Sequence, residues 1–517
     1  MVPQPPSDDA VGHLRCAFDG DRDRTLLLEA ATGARLTYGQ VDQLSRDLGA
    51  RFAAAGVEPG DRVALLLPNS PECVLVVLAC MHAGAVAVPV NPKLHPEEVR
   101  YILGNAEPRL VFVGSKLREP FARALGEVPP GRVVGVECGG LATAPAEGLD
   151  ALLPPAAGGP LPRFSRSAAG DVCLVVYTSG TTSRPKGVAL PYAAVIGNAR
   201  AFIARVGMGP EHRFYGYLSQ AYLGGLYNLF LVPILAGGSV VVEDVFGPEV
   251  ALRFWERVAL REVTALWLVP SILSVLLSVD RSAEGPRLCR DRIRLACIGT
   301  APLPAALREA FEDRYGIQLF ESYGLSETLF VTTNAPSLPQ NQGVGPPLPD
   351  CRLRILDDDG RELPPGAAGE IVVRTPHLMT AYFRDPQATS AATRGGEFWT
   401  GDVGYLDPEG HLQITDRKKD LIIRAGMNVS PREVEEILLA HPRVKEAAVV
   451  GLPDPLAGER VVAAVVASGE VTAKELRAHC ASFLAGFKVP ERVHFLEDLP
   501  RSVTGKVQKR RVREALG

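Results

Sequence analysis

The stretch from Leu174 to Val188 most limits what this chain can fold into. Leu174 to Tyr177 is a short apolar run of strand character, and it leads directly into Thr178-Ser179-Gly180-Thr181-Thr182-Ser183-Arg184-Pro185-Lys186-Gly187. Hydroxyl side chains, two glycines and one lysine after a strand suit a loop that wraps a polyphosphate. Backbone N–H groups and hydroxyls donate, glycine permits close approach, and Lys186 supplies charge. It is not a Walker A loop, because no G-x-x-x-x-G-K-[ST] string occurs. The alternative reading is a Ser/Thr-rich surface turn.

Strand and helix patterns alternate around this stretch. From Tyr38 the apolar positions Val41, Leu44, Leu48 and Phe52 recur at three to four residues, which predicts a helix with one stripe against a core and a stop at Gly56. Val63 to Leu67, after the turn signal Pro59-Gly60-Asp61, and Ala85 to Val90 are short apolar strand runs, and the same texture returns through Val240, Leu266 and Ile298. The fold class this implies is α/β in layered subdomains. Cys73 to Val90 is apolar enough to raise a membrane span, but His82, Gly84 and Pro89 interrupt it, so it reads as a buried helix followed by a buried strand.

Gly139 to Gly170 is rich in Ala, Pro and Gly and reads as a surface linker. At Asp416-Arg417-Lys418-Lys419-Asp420 the texture becomes charged, followed by Leu421-Ile422-Ile423 and a turn at Gly426. The last hundred or so residues read as a small mobile α+β domain, with a helix from about Pro431 and strands over Ala447 to Val450 and Val461 to Val466. The expected division is residues 1–418 and 419–517.

With 517 residues, 46% of them hydrophobic, the chain exceeds what one core absorbs. Fifty-five Lys and Arg against 59 Asp and Glu leave a net charge of −4, which excludes a field that gathers nucleic acid or anionic lipid. The nine cysteines show no C-x-x-C pair and no zinc spacing, so they read as reduced thiols. The first residues lack a basic start followed by an apolar stretch, and the expected location is the cytoplasm.

Four further strings follow the phosphate-suited loop in order: Tyr323-Gly324-Leu325-Ser326-Glu327-Thr328, Thr400-Gly401-Asp402, Arg417 to Glu435, and Pro500 to Lys506. With these motifs in this order from about Leu36 to the end, the chain resembles the adenylate-forming superfamily, which groups acyl-CoA synthetases, peptide-synthetase adenylation domains and luciferases. The resemblance implies an enzyme that activates a carboxylic acid with ATP and Mg²⁺ to an acyl adenylate, releases pyrophosphate, and transfers the acyl group to CoA. A carrier protein's phosphopantetheine arm is the alternative acceptor, and an acyl carrier protein the alternative partner beside the small-molecule acid. Nucleic acid and a membrane span are not expected.

Carried over by position, Thr178, Ser179, Gly180, Thr181, Thr182 and Lys186 would hold the ATP phosphates, and Glu327 would ligate Mg²⁺ with them. Ser326 would bond the α-phosphate. Ser322, Tyr323 and Gly324 would form the adenine side, with Tyr323 stacked on the base. Gly299, Thr300 and Ala301 would pass between adenine and acyl group. Asp402 would accept from both ribose hydroxyls, supported by Arg417. Lys506, with Glu327 and Ser326, would be catalytic, stabilising the charge that accumulates as the carboxylate attacks. Lys419 occupies the hinge position, and rotation there would replace Lys506 with the Gly426 loop beside a thiol tunnel. The basic tail Lys509, Arg510, Arg511 and Arg513 reads as a solvated face.

Two departures stand out. Ser183 replaces the glycine usual after the paired threonines. In the acyl-pocket string Tyr217-Leu218-Ser219-Gln220-Ala221-Tyr222-Leu223-Gly224-Gly225, Ser219 and Gln220 replace an aromatic-His pair. Ser219, Gln220, Tyr222, Gly224 and Thr300 are the candidate acyl-pocket residues, and the alternative reading is a helix start that only packs. The altered pair leaves room for ligation to an amine, or for a small oxyacid such as nitrite. A non-catalytic nucleotide-binding regulator is a third reading, opposed by the joint presence of Glu327, Asp402, Arg417 and Lys506.

Overall fold

The computed structural model describes residues 9–128, 132–138, 153–154, 158, 161, 163–164, 167–178, 184–339, 343–425, 427–455, 457–502 and 506–517. Among these residues, three sheets form up to Arg417 and another begins at Ile422. The architecture is α/β, with a large N-terminal domain and a small C-terminal one.

A seven-stranded sheet runs in the order Ala381–Tyr382, Lys186–Pro191, Val172–Thr178, Val86–Pro89, Arg62–Leu66, Leu110–Gly114, Val133–Val136. Its pairings are parallel from Val172–Thr178 onward, and Lys186–Pro191 folds back antiparallel. An eight-stranded sheet has the order Leu329–Thr333, Phe320–Leu325, Leu295–Ile298, Ala265–Leu268, Arg213–Gly216, Ser239–Val242, Thr25–Glu29, Arg35–Thr37. Its central strands are parallel, so Tyr217 and Gly299 both follow carboxyl ends, the edge at which open α/β sheets take ligands.

The helix Pro71–Ala83 explains why the two sheets form one body. Ser70 caps it by accepting from Cys73 N at 3.2 Å, Pro71 suits its first turn, and Gly84 at φ 72° ends it. All of its residues are buried, and one core unites Cys73 to Ala83 with Val63 and Phe112 of one sheet and Val240 and Trp267 of the other. An apolar run covered on all sides needs no membrane, and among the described residues no helix is long and apolar enough to cross one.

A third sheet contains Arg352–Leu356, Gly369–Arg374, Glu397–Leu406, Thr393–Arg394 and Leu412–Arg417. The small domain has its own sheet, made of Met427–Val429, Ile422–Arg424, Gly458–Ala467, Val444–Asp454 and Arg492–Phe495, and its own core from Ile422, Val434, Leu438, Val449 and Val461.

Two readings from composition are revised. In the stretch read as a surface linker, Phe164 is fully buried and stacks on His82 at 4.2 Å, while Arg163 pairs with buried Asp42 at 2.6 Å. The described far part of that stretch is therefore anchored to the core. In the basic tail, Lys509 pairs with Glu435 at 2.9 Å and Val512 is buried under the helix Lys509–Leu516. That helix lies on the small domain by one apolar face, so only its outer side is solvated.

Candidate functional site

The strands Val172–Thr178 and Lys186–Pro191 set Thr178 opposite Lys186. Ser179, Gly180, Thr181 and Thr182 lie outside the described residues, as does Ser183. The Lys186 ammonium sits 4.9 Å over the ring of Tyr382, and the Tyr382 hydroxyl donates to Glu327 Oε1 at 2.7 Å. Backbone bonds fix this contact. Thr380 N donates to Ala189 O at 2.9 Å, Phe383 N to Gly187 O at 2.6 Å, and Met379 N to Glu327 O at 2.7 Å. The phosphate-suited lysine and the carboxylate of the second motif thus meet through a tyrosine that the motifs did not single out.

The second motif is a tight hairpin between Phe320–Leu325 and Leu329–Thr333. A Cβ on Gly324 would meet Leu329 O at 2.0 Å, so only glycine lets the two backbones close there. Ser326 and half-buried Glu327 occupy the turn. Ser322 Oγ donates to Ile298 O at 3.3 Å, and a Cβ on Gly299 would lie 3.0 Å from Ser322 Oγ, so Gly299, just past the strand Leu295–Ile298, abuts Ser322 of the neighbouring strand.

The third sheet meets this edge. Asp402 lies opposite Arg417 in the pairing of Glu397–Leu406 with Leu412–Arg417. The Arg417 Nε stands 2.8 Å from Asp402 Oδ1, and the Tyr323 hydroxyl donates to Asp402 Oδ2 at 2.7 Å. Each oxygen keeps a further lone pair, so the buried carboxylate can accept from two more donors. The chain beyond Arg417 is tethered by Lys418, whose N–H donates to Gly401 O at 2.8 Å and whose ammonium pairs with Asp358 at 2.9 Å and Glu370 at 3.0 Å. Lys419 follows as an exposed residue. Gly426 lies outside the described residues.

Lys506 comes from the chain's end into the same surroundings. Lys506 is an exposed residue. Desolvation, and then the like charge of Arg417, lower its pKa to about 8, with Asp402 pulling the other way.

In the acyl-pocket string, Gln220 turns to Asn69 and Ser70: its N–H donates to Asn69 Oδ1 at 2.8 Å and its Oε1 accepts from Ser70 N at 3.0 Å. It pins the string to the start of the helix Pro71–Ala83. Ser219 Oγ accepts from Ala221 N at 3.3 Å, and the Tyr222 hydroxyl accepts from buried Asn91 at 2.8 Å. Gly224 begins a π-helix, Gly224–Leu231, a rare form that concentrates at functional sites. A Cβ there would lie 3.9 Å from Thr300 Cγ2. Thr300 itself holds φ 70°, a strained backbone for a β-branched residue. Gly224 and Thr300 therefore face each other across a narrow gap.

A methyl group fits that gap. The Gly224→Ala methyl would make ordinary contacts with Leu218 Cδ1 at 3.7 Å and Thr300 Cγ2 at 3.9 Å. With Gly224 and Thr300 as the acyl-pocket residues that the resemblance implies, the variant is expected to melt near the parent and to lose about tenfold in kcat/KM for bulky acids relative to the smallest. Steady-state kinetics over an acid series of increasing width checks this, and a uniform loss would place the gap away from the acyl group.

Residues 15–383 match the AMP-binding enzyme family, and residues 433–506 match the AMP-binding enzyme C-terminal domain. The chain belongs to the AMP-binding enzymes. It is similar to the sulfoacetate–CoA ligase of Cupriavidus necator, 36% identical over 94% of each chain, and to a feruloyl-CoA synthase of an Amycolatopsis species, 33% identical over 94% of this chain and 95% of that one. Its fold resembles the ATP-bound structure of MatB from Rhodopseudomonas palustris, with a TM-score of 0.87, 30% identity and coverage of 98% of this chain and 99% of that one. This AMP-binding enzyme is an acid–thiol ligase of the acyl-CoA synthetase type, which activates a carboxylic acid with ATP and passes it to CoA.

Proposed function

We propose that the ligase runs through the residues described above, with domains at 1–418 and 419–517. Lys186 and the hydroxyl-rich loop bind the ATP phosphates, Ser326 the α-phosphate, Tyr323 the adenine, and Asp402 with Arg417 the ribose. Gly299, Thr300 and Ala301 separate adenine from the acyl group, and Gly224, Thr300, Ser219 and Tyr222 bound the acid. Gln220 holds that wall in place.

The acid's carboxylate oxygen attacks the α-phosphorus, the new O–P bond forms, and the bond to pyrophosphate breaks. Lys506 offsets the negative charge gathering between the two anions. A turn about Lys419 then withdraws Lys506 and brings the Gly426 loop forward. The CoA thiol gives up its proton to solvent, its sulfur forms a bond to the acyl carbon, and the acyl C–O bond breaks to release AMP. The tethering of Lys418 to Asp358 and Glu370 supports Lys419 as the pivot.

Among the described residues no group of three or more His, Cys, Asp and Glu stands ready for a metal ion. The half-buried Glu327 carboxylate in the turn between Phe320–Leu325 and Leu329–Thr333 fits a hard cation such as Mg²⁺ and would hold it. Bound there, Mg²⁺ would supply neutralisation of phosphate charge. The nine cysteines, all present as thiols rather than disulfides, favour the reducing cytoplasm as the location.

The observation that carries the reading is the convergence of three separate motifs on one carboxylate, Asp402 standing 2.8 Å from Arg417 Nε and accepting from the Tyr323 hydroxyl at 2.7 Å. The test is ATP–pyrophosphate exchange across aliphatic, aromatic and dicarboxylic acids, with CoA thioester formation read on the acids that respond. Exchange driven by one acid class is the expected result. Silence from folded protein with Mg²⁺ across the panel would refute carboxylate activation.

A further inference from the structure

Tyr382 stands between two opposite charges. Its hydroxyl donates to Glu327 Oε1 at 2.7 Å while the Lys186 ammonium lies 4.9 Å from the centre of its ring. The ring is buried, and its backbone has little freedom: Tyr382 pairs with Val188, and its N–H donates to Thr389 Oγ1 at 2.9 Å. Arg384, two residues on, donates to Asn105 O at 3.0 Å and pairs with Glu107 at 2.6 Å, which ties the same segment to the neighbouring helix. So much fixation of one aromatic side chain invites a functional account.

We infer that Tyr382 is a positioning residue for nucleotide-bound Mg²⁺, holding one oxygen of Glu327 so that the other faces the metal, and keeping Lys186 from closing onto that carboxylate. This rests on Glu327 being the metal carboxylate, as proposed above. Lys186 and Glu327 attract each other, and a direct ion pair between them would occupy both groups before MgATP arrived. The phenol prevents this in two ways. Its O–H satisfies one carboxylate oxygen with a charge-assisted bond, and its π-face gives the ammonium a resting place that costs little to leave. The site is thereby preorganised, and binding need not first break a salt bridge.

The test uses the full-length enzyme, with titration calorimetry of ATP in the absence of acid as a readout besides activity. Tyr382→Phe keeps the ring and removes the donor. It is expected to weaken ATP binding about tenfold with Mg²⁺ present and far less in EDTA, where the retained ring still seats Lys186. The free Mg²⁺ needed for half-maximal exchange should rise by a similar factor, with exchange recovered at saturating Mg²⁺. Unaltered Mg²⁺ dependence in Tyr382→Phe, beside a shifted dependence in Glu327→Gln, would overturn the role of Tyr382 alone. Unaltered Mg²⁺ dependence in Glu327→Gln would overturn the metal assignment and this inference with it. The double variant guards against a mere loss of packing. If Tyr382 acts through Glu327, it loses no more Mg²⁺ dependence than Glu327→Gln alone, and additive losses would overturn the inference.

Discussion

Lys506→Ala is expected to slow carboxylate-dependent ATP–pyrophosphate exchange by about 100- to 1,000-fold, the range seen when one preorganised charge-stabilising donor is removed. Thioester formation from a supplied acyl adenylate and CoA should fall far less, because the ammonium has no charge to offset once pyrophosphate has gone. Equal losses in the two half-reactions would remove Lys506 from its assigned step. The pH profile gives a second handle. Desolvation and Arg417 lower the Lys506 pKa to about 8, so the free enzyme carries the ammonium below that pH and loses it above. Since kcat/KM reports groups of the free enzyme, its value for exchange should decline as pH rises through about 8. In Lys506→Arg the guanidinium stays charged, so whatever exchange survives should lack that alkaline limb.

The sequence exposes what is local and hides what is paired at a distance. The strands Arg62–Leu66, Val86–Pro89 and Leu295–Ile298 were legible because parallel strands buried on both faces are continuous apolar runs. Asp402, Arg417 and Lys506 were legible because each lies in a short motif whose order along the chain is diagnostic. Tyr382 was not. Its partners come from the pairing of Ala381–Tyr382 with Lys186–Pro191, and nothing in the spacing from residue 188 to 382 announces that register. The same holds for Asn69 and Asn91, which fix Gln220 and Tyr222 from the other sheet's side of the core.

Composition misled where it was asked to decide exposure. Pro, Gly and Ala between Gly139 and Gly170 suggest a linker, yet one aromatic, Phe164, and one arginine, Arg163, are enough to anchor the described part against His82 and Asp42. Four cations near the end suggest a solvated face, but Val512 gives the helix Lys509–Leu516 a buried side, and Glu435 waits for Lys509 on a different helix. At Ser219-Gln220 the motif departs from its usual form and the residues took different tasks, one bracing the backbone and one pinning it to Asn69 and Ser70.

Asp402→Ala should cost the enzyme its hold on the ribose while sparing the fold. The carboxylate is buried, but Arg417 keeps about half its side chain in solvent at 51% exposure, so the guanidinium can turn to water when its partner goes. Two charge-assisted bonds to the ribose hydroxyls are worth about 3 kcal/mol or more together, so kcat/KM for ATP should drop roughly 100-fold. The decisive comparison is between nucleotides. The parent should favour ATP over 2′-deoxy-ATP and 3′-deoxy-ATP, because each analogue leaves one Asp402 oxygen without its donor, whereas Asp402→Ala should treat all three alike. Preference for ATP surviving in the variant would move ribose recognition elsewhere. Loss of preference confined to one analogue would mean that Asp402 reads a single hydroxyl, with Tyr323 occupying the oxygen meant for the other.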